Sequence, residues 1–262
     1  MMLSLSVTSL PAEPVNHDLW DQILQEYVNT NGEVDYARLK AAPAQLNAYV
    51  AFLAANSPES HPARFATKNA ILAYWINAYN AFVLKGIVDA YPITSVKDIG
   101  VLNGFFRRQN FTAGGREITL DALENKIIRP QFMDPRIHFV VNCGAVSCPL
   151  LENRAFTGAN LEARLEAAAA RSINDPHYVR LAREESRLYL TKIMEWYGQD
   201  FIDWFPQPTD SAPINKPTLR DYIALFLSPS QAQYVRDNPN LVIEFNTYDW
   251  SLNSLKDLPK SP

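Results

Sequence analysis

Both cysteines of the chain, and one of its four histidines, fall in a single stretch, DPRIHFVVNCGAVSCPLL, over residues 134–151. Thiols and imidazoles carry nucleophilic, redox and metal chemistry, and three such chemistries compete here. In the first, His138 holds Cys143 or Cys148 as a thiolate and forms a nucleophile–base pair with it. Strand geometry resists the Cys143 version. An extended segment over 136–143 turns His138 and Cys143 to opposite faces and sets them roughly 16 Å apart at ~3.3 Å per residue. That pairing needs a sharp bend, whereas Cys148 can fold back through a turn at Gly144. In the second, the cysteines bond to each other, which requires their Cα atoms to approach within ~7 Å and is favoured in an oxidising compartment. Two reduced thiols packed in the interior are the plain variant of that reading. The third is zinc. H-x4-C-x4-C offers three ligands, but the paired C-x2-4-C spacing is absent and His17, His61 or His177 would have to supply a fourth. No metal or other cofactor is therefore expected.

Two further constellations bear on the same chemistry. Asn77 and Asn80 lie three residues apart in WINAYNA, so on a helix they share a face bordering its apolar stripe. Their amides either bind a substrate carbonyl and orient a histidine, or tie the helix to neighbouring loops. Glu124, in LENKIIRP, either orients His138 or neutralises Arg129. A solvated helix face is the plainer reading of it. The closing YDWSLN (248–253) groups two aromatics with Asp249 and Asn253 and reads as a tie-down of the C-terminus, with Asp249 as a third catalytic member the less favoured reading.

The elements that must position these groups follow from periodicity. Apolar residues recur at helical spacing over Lys68–Ala90, which ends at the Tyr91-Pro92 step. Further helices are expected at 18–28, 43–55, 120–128, 160–173, 192–204 and 218–226. Strands are expected at 136–142, the best of them, and at 107–111, 117–119, 178–181, Arg187–Leu190 and 241–245, with Gly114-Gly115 as a hairpin turn. Helices fill the first half and short, mostly antiparallel strands gather later, which makes the fold class α+β. Residues 1–14 read as a signal remnant or a disordered start, 15–253 as one domain, and 254–262 as a frayed tail. The stretch around Pro206, Pro208 and Pro213 reads as a surface loop.

Composition narrows the function classes. Of 262 residues 47% are hydrophobic, enough for a substantial core. The 24 Lys+Arg against 28 Asp+Glu give 24 − 28 = −4, which argues against nucleic acid or an anionic membrane as the main partner. No run approaches 18 uninterrupted apolar residues, so no transmembrane segment is expected. With only nine glycines the chain carries neither G-x-G-x-x-G nor G-x-x-x-x-G-K-[ST], which removes the usual dinucleotide and P-loop readings.

The blocks HDLWDQILQEYVNTNGEVDYARL, AYWINAYNAF, GGREITLDALENKIIRP, DPRIHFVVNCGAVSCPLL, LYLTKIMEWYGQDF and YDWSLN resemble, in order and over nearly the whole chain, the bacterial and plant family named domain of unknown function 547. Carried over residue by residue, the resemblance points to Asn77, Tyr79, Asn80, Glu124, His138, Cys143 and Cys148. It implies no reaction. It does imply a periplasmic or secreted location, with a cytoplasmic one as the alternative. A long helix followed by a histidine-bearing strand is also similar in arrangement to papain- and transglutaminase-like folds, though an asparagine or tyrosine stands where their cysteine would.

Two functions emerge. One is cysteine/histidine-dependent hydrolysis or acyl transfer on an amide, ester or thioester. There Cys143 or Cys148 is the nucleophile, His138 the base, Glu124 or Asn77 the orienting group, and the amides after Cys143 an oxyanion donor set, with Asn77, Tyr79 and Asn80 holding substrate. The other is a non-catalytic domain binding a small molecule or peptide, with a structural Cys143–Cys148 bridge.

Overall fold

In the computed structural model, which describes residues 13–101, 104–205 and 217–255, everything is arranged around one helix. The chain runs α1 (Asp18–Tyr27), α2 (Tyr36–Ala41), α3 (Ala44–Ala55), α4 (Lys68–Ala90) and α5 (Gly104–Arg107), then the hairpin β1 (Asn110–Ala113) and β2 (Arg116–Thr119). Next come α6 (Leu120–Ala122), a π-helical stretch Leu123–Ile128, α7 (Arg129–Phe132), a 3-10 turn Pro135–Phe139 and α8 (Leu161–Asn174). The chain closes with β3 (Val179–Ala182), β4 (Arg187–Leu190), α9 (Lys192–Trp196), α10 (Gly198–Asp203), α11 (Leu219–Ala224), α12 (Pro229–Asp237) and β5 (Val242–Phe245). About 52% of the described residues are helical, beside two small sheets among them, so the fold class is α+β.

Helix α4 starts at Thr67, whose side chain accepts from the Ala70 amide, and every position from 72 to 88 except Lys85 is buried. A helix that is apolar all round belongs in the middle of a core. α2, α3, α8 and the π-helical stretch pack around it. By length and composition α4 is also the one helix among the described residues able to cross a membrane, but 89% of its apolar window is buried inside the protein.

The hairpin forms as expected. Gly114 and Gly115 both take positive φ, 56° and 83°, as a two-residue turn that follows strand twist requires. In the second sheet β3 and β4 are antiparallel and β4 and β5 run parallel, so two of the three strand pairings among the described residues are antiparallel, as expected.

The main departure is at 136–142. DPRIHF forms a 3-10 turn, not a strand: Asp134 accepts from the Arg136 amide and Pro135 stands at the first turn. Pro135 brings no backbone donor, so a ladder could not form through it. Apolar residues over 137–141 are buried here without strand pairing. The histidine-bearing strand of the papain-like analogy is therefore absent. The expected strand at 107–111 is split between α5 and β1, the helix at 192–204 breaks between α9 and α10, and α2 and α12 were not anticipated. The prolines at 206, 208 and 213 lie outside the described residues, as do 1–12 and 256–262. The tail is still held at its start, since the Leu255 amide donates to Val34 O at 2.8 Å.

Asn77 and Asn80 connect α4 to what lies over it. Asn77 donates to Phe156 O (2.7 Å) and accepts from Phe156 N (3.0 Å). Asn80 donates to Val140 O and accepts from Asn142 N, both at 2.9 Å. Each carboxamide acts as a peptide group would at a sheet edge, satisfying buried backbone that has no ladder. Removing one leaves an unpaired N–H and C=O, each worth roughly 1–3 kcal/mol when buried. Asn80→Ala should therefore cost roughly 2–4 kcal/mol in urea unfolding. A loss under about 1 kcal/mol would show that these bonds do not hold the loop.

Candidate functional site

The bond between Asn80 and Asn142 begins a relay into the cysteine loop. Asn142 in turn donates to Pro149 O (2.6 Å) and accepts from Gly144 N (2.7 Å), closing the loop that carries both cysteines. Gly144 takes φ +83°, a conformation that L side chains rarely adopt, so the backbone there calls for glycine. The 248–253 segment pairs along this loop: Val146 N donates to Ser251 O, Ser147 N to Asp249 O, and Asn253 N to Gly144 O, at 2.8–3.1 Å. It acts as the expected tie-down. Asp249 itself accepts from the Ser251 amide and does not line the cleft described next.

Cys143 and Cys148 are bonded to each other, with Cα atoms 6.3 Å apart. The bridge lines a cleft of about 380 Å³ together with Tyr79, Glu124 and His138. Of the seven residues singled out from sequence, these five share one site. Asn77 and Asn80 do not line it, because their amides are engaged by backbone behind it. They position the site and are not placed to bind substrate in it.

The structure also bears on the roles expected inside the cleft. His138 is oriented by Asp200, neither by Glu124 nor by Asn77: its Nε2 lies 2.8 Å from Asp200 Oδ2. An ionised carboxylate only accepts, so Nε2 carries the proton and Nδ1 is left as the basic atom. Tyr197 stacks on the ring at 4.2 Å and Phe201 supports it from a second side. Asp200 is held in turn by Arg129, whose Nε and Nη2 donate to its two oxygens at 2.6 and 2.8 Å. Arg129 thus pairs with Asp200 and not with Glu124, for which no ion pair occurs among the described residues. Burial alone would raise the Asp200 pKa, but the hydrogen bonds and electrostatic pull of His138 and Arg129 outweigh it and hold the carboxyl well below the usual range.

Glu124 sits on the π-helical stretch, a widened turn of a kind frequent at functional sites. It is buried beside the hydroxyls of Tyr79 and Tyr197. Burial, and then the nearby Glu124 charge, push the pKa of both tyrosines upward. The expected oxyanion donors after Cys143 are otherwise engaged: the amides of Gly144, Val146, Ser147 and Cys148 all donate within the protein. The Tyr248 hydroxyl faces the bridge, 3.0 Å from Cys148 Sγ and 3.4 Å from Cys143 Sγ, and the Cys143 amide donates to Cys148 Sγ at 3.0 Å. Trp196 and Trp250 flank Tyr248 at ring separations of 4.8 and 4.6 Å, forming an aromatic wall.

Asp200 was missed, yet it leaves a sequence signal. Tyr197, Phe201 and Trp204 mark the apolar stripe of YGQDFIDW, and Asp200 lies on it, where an acid needs a buried partner. Glu124 is placed the same way beside Leu120, Leu123 and Ile128.

An α+β protein with an aromatic cleft built on a His–Asp–Arg chain and a disulfide is the class that fold and site define. Residues 63–173 match the family model described as "Protein of unknown function, DUF547". The span holds α4, Glu124, His138 and both cysteines. The expected resemblance ran further, and Asp200 and Tyr248 lie outside the match. No curated protein and no solved structure matches the chain.

A group whose pKa falls on folding stabilises the native state above its unfolded value, near ~4, and that stabilisation is lost as pH falls below it. Urea midpoints should therefore drop from about pH 6 to about pH 3, and Asp200→Asn, less stable at the upper end, should drop less over that window. Parallel curves for the two proteins would mean that His138 and Arg129 do not hold the Asp200 carboxylate.

Proposed function

We propose that the chain, with its bridge opened, is a cysteine–histidine hydrolase or acyl transferase acting on an amide, ester or thioester of a small molecule or short peptide. The observation that supports this is the 2.8 Å bond from His138 Nε2 to Asp200, in the same cleft as both cysteines. A carboxylate that fixes the imidazole tautomer leaves the other ring nitrogen to take a thiol proton. Cys143, part-exposed where Cys148 is buried, is the sulfur a substrate reaches. Its thiolate adds to the carbonyl carbon, His138 returns the proton to the leaving group, and water then releases the acyl group from sulfur. Tyr248, whose hydroxyl burial keeps protonated, supplies a donor for the developing oxyanion. The cleft volume is of the size that takes a small ligand. An exported location belongs to the same proposal, since a disulfide persists in an oxidising compartment.

The bonded cysteines favour a second reading, in which the bridge is permanent and the aromatic wall binds a ligand without turning it over.

One experiment separates them. Reduced protein mixed with p-nitrophenyl acetate should release a burst of one p-nitrophenol per chain and carry an acetyl group on Cys143 by peptide mass spectrometry. Cys143→Ser should abolish the burst, and Asp200→Asn should slow acylation about a hundredfold. Acetylation scattered over surface lysines, with no burst, would leave the binding reading and remove the hydrolase.

A further inference from the structure

The two sulfurs of the bridge are not equivalent, and the difference is chemical. Cys143 is part-exposed at the cleft wall, while Cys148 is 5% exposed. Two donors converge on the buried sulfur: the Cys143 amide at 3.0 Å and the Tyr248 hydroxyl at 3.0 Å. A bonded sulfur has little negative charge for such donors to stabilise, but a thiolate has a full one. Cys148 is also anchored through its backbone, since the Tyr178 hydroxyl donates to its carbonyl at 2.9 Å. The surrounding loop is fixed independently of the bridge, by the Asn142 carboxamide and by the 248–253 segment.

We propose that Cys143–Cys148 is a reversible redox pair and that the chain carries out thiol–disulfide exchange with small thiols and dithiols entering the cleft. The incoming thiolate attacks Cys143 Sγ, a new S–S bond forms there, and the bond to Cys148 breaks with its electron pair leaving on Cys148 Sγ. With a dithiol, the second thiolate attacks the sulfur of the first. That step releases Cys143 as thiolate and the reagent as its disulfide, so two electrons pass to the protein and two protons follow. Exchange is faster the better the departing thiolate is stabilised, which is the work the geometry gives the Cys143 amide and Tyr248. His138 lines the same cleft. The activity stands whether or not the cleft acylates, so the two proposals fail separately.

The test uses the folded, oxidised chain and glutathione, quenched in acid at short times and mapped by peptide mass spectrometry. The adduct should appear on Cys143 at least tenfold over Cys148, at a rate faster than global unfolding. Tyr248→Phe should slow its formation roughly tenfold, as loss of one hydrogen bond to the leaving sulfur implies. Adduct on Cys148, or reduction seen only at the unfolding rate, would overturn the proposal. Mapping the unsubstituted protein decides between these outcomes even if the Tyr248 variant does not fold.

Discussion

The arrangement of this protein hangs on a carboxamide in a helix that has no reason, from propensity alone, to contain one. Asn80 lies in the middle of α4, surrounded by buried apolar side chains, and its amide completes the backbone of residues 140 and 142. Those residues have no strand partner, and buried peptide groups without partners would expel the segment from the core. Asn142 extends the same device one step further, to Gly144 and Pro149. Two asparagines thus carry the rigidity of the central helix into the loop that holds the sulfurs, and Asn77 does the same for residue 156 on the way to α8.

A second chain of polar contacts reaches the cleft from the other side. Arg129 follows directly on the π-helical stretch, Asp200 lies in the first turn of α10, and His138 sits on a 3-10 turn. Arg129 and His138 come from consecutive elements, and Asp200 reaches them from 62 residues beyond His138. An acid between an imidazole and a guanidinium in a partly dry site is held ionised by both, and its geometry is set by the bidentate Arg129 contact. The ring of His138 has little freedom left once Tyr197 lies flat against it. Such pre-organisation is what acid–base chemistry needs, and it also suits a rigid binding site. The wall of Trp196, Tyr248 and Trp250 adds apolar surface beside it without adding charge.

Long-period signals were legible in the sequence and tertiary ones were not. α4 was readable to its terminal residues because its apolar period and the following proline agree, and the structure adds a Thr67 cap at its start. The hairpin was readable from its glycine pair. The 136–142 segment misled because a short apolar run looks the same whether it pairs as a strand or is buried as a turn, and only Pro135 argued for the turn. That error carried through to the site: the alternation argument against His138 and Cys143 sharing a face assumed extended backbone that does not exist. Five site residues were legible by type and by family resemblance. Asp200 lies on a legible apolar stripe, but its partners, like those of Tyr248, depend on long-range docking that spacing cannot express.

The bridge itself adds little that the loop lacks. Closing so short a loop removes unfolded-state entropy worth about 2 kcal/mol. The same residues are already fixed by the Asn142 carboxamide, by three backbone bonds to residues 249–253 and by a glycine that only one conformation fits. A bond meant for stability gains most where the chain is otherwise free and the sulfurs are enclosed. Here one sulfur opens onto an aromatic cleft that also holds an imidazole in a fixed tautomer, and the other is buried under two hydrogen-bond donors. That placement adds polar groups around a bond that needs none for its strength, and each of those groups gains in strength once the bond is broken and charge appears on sulfur.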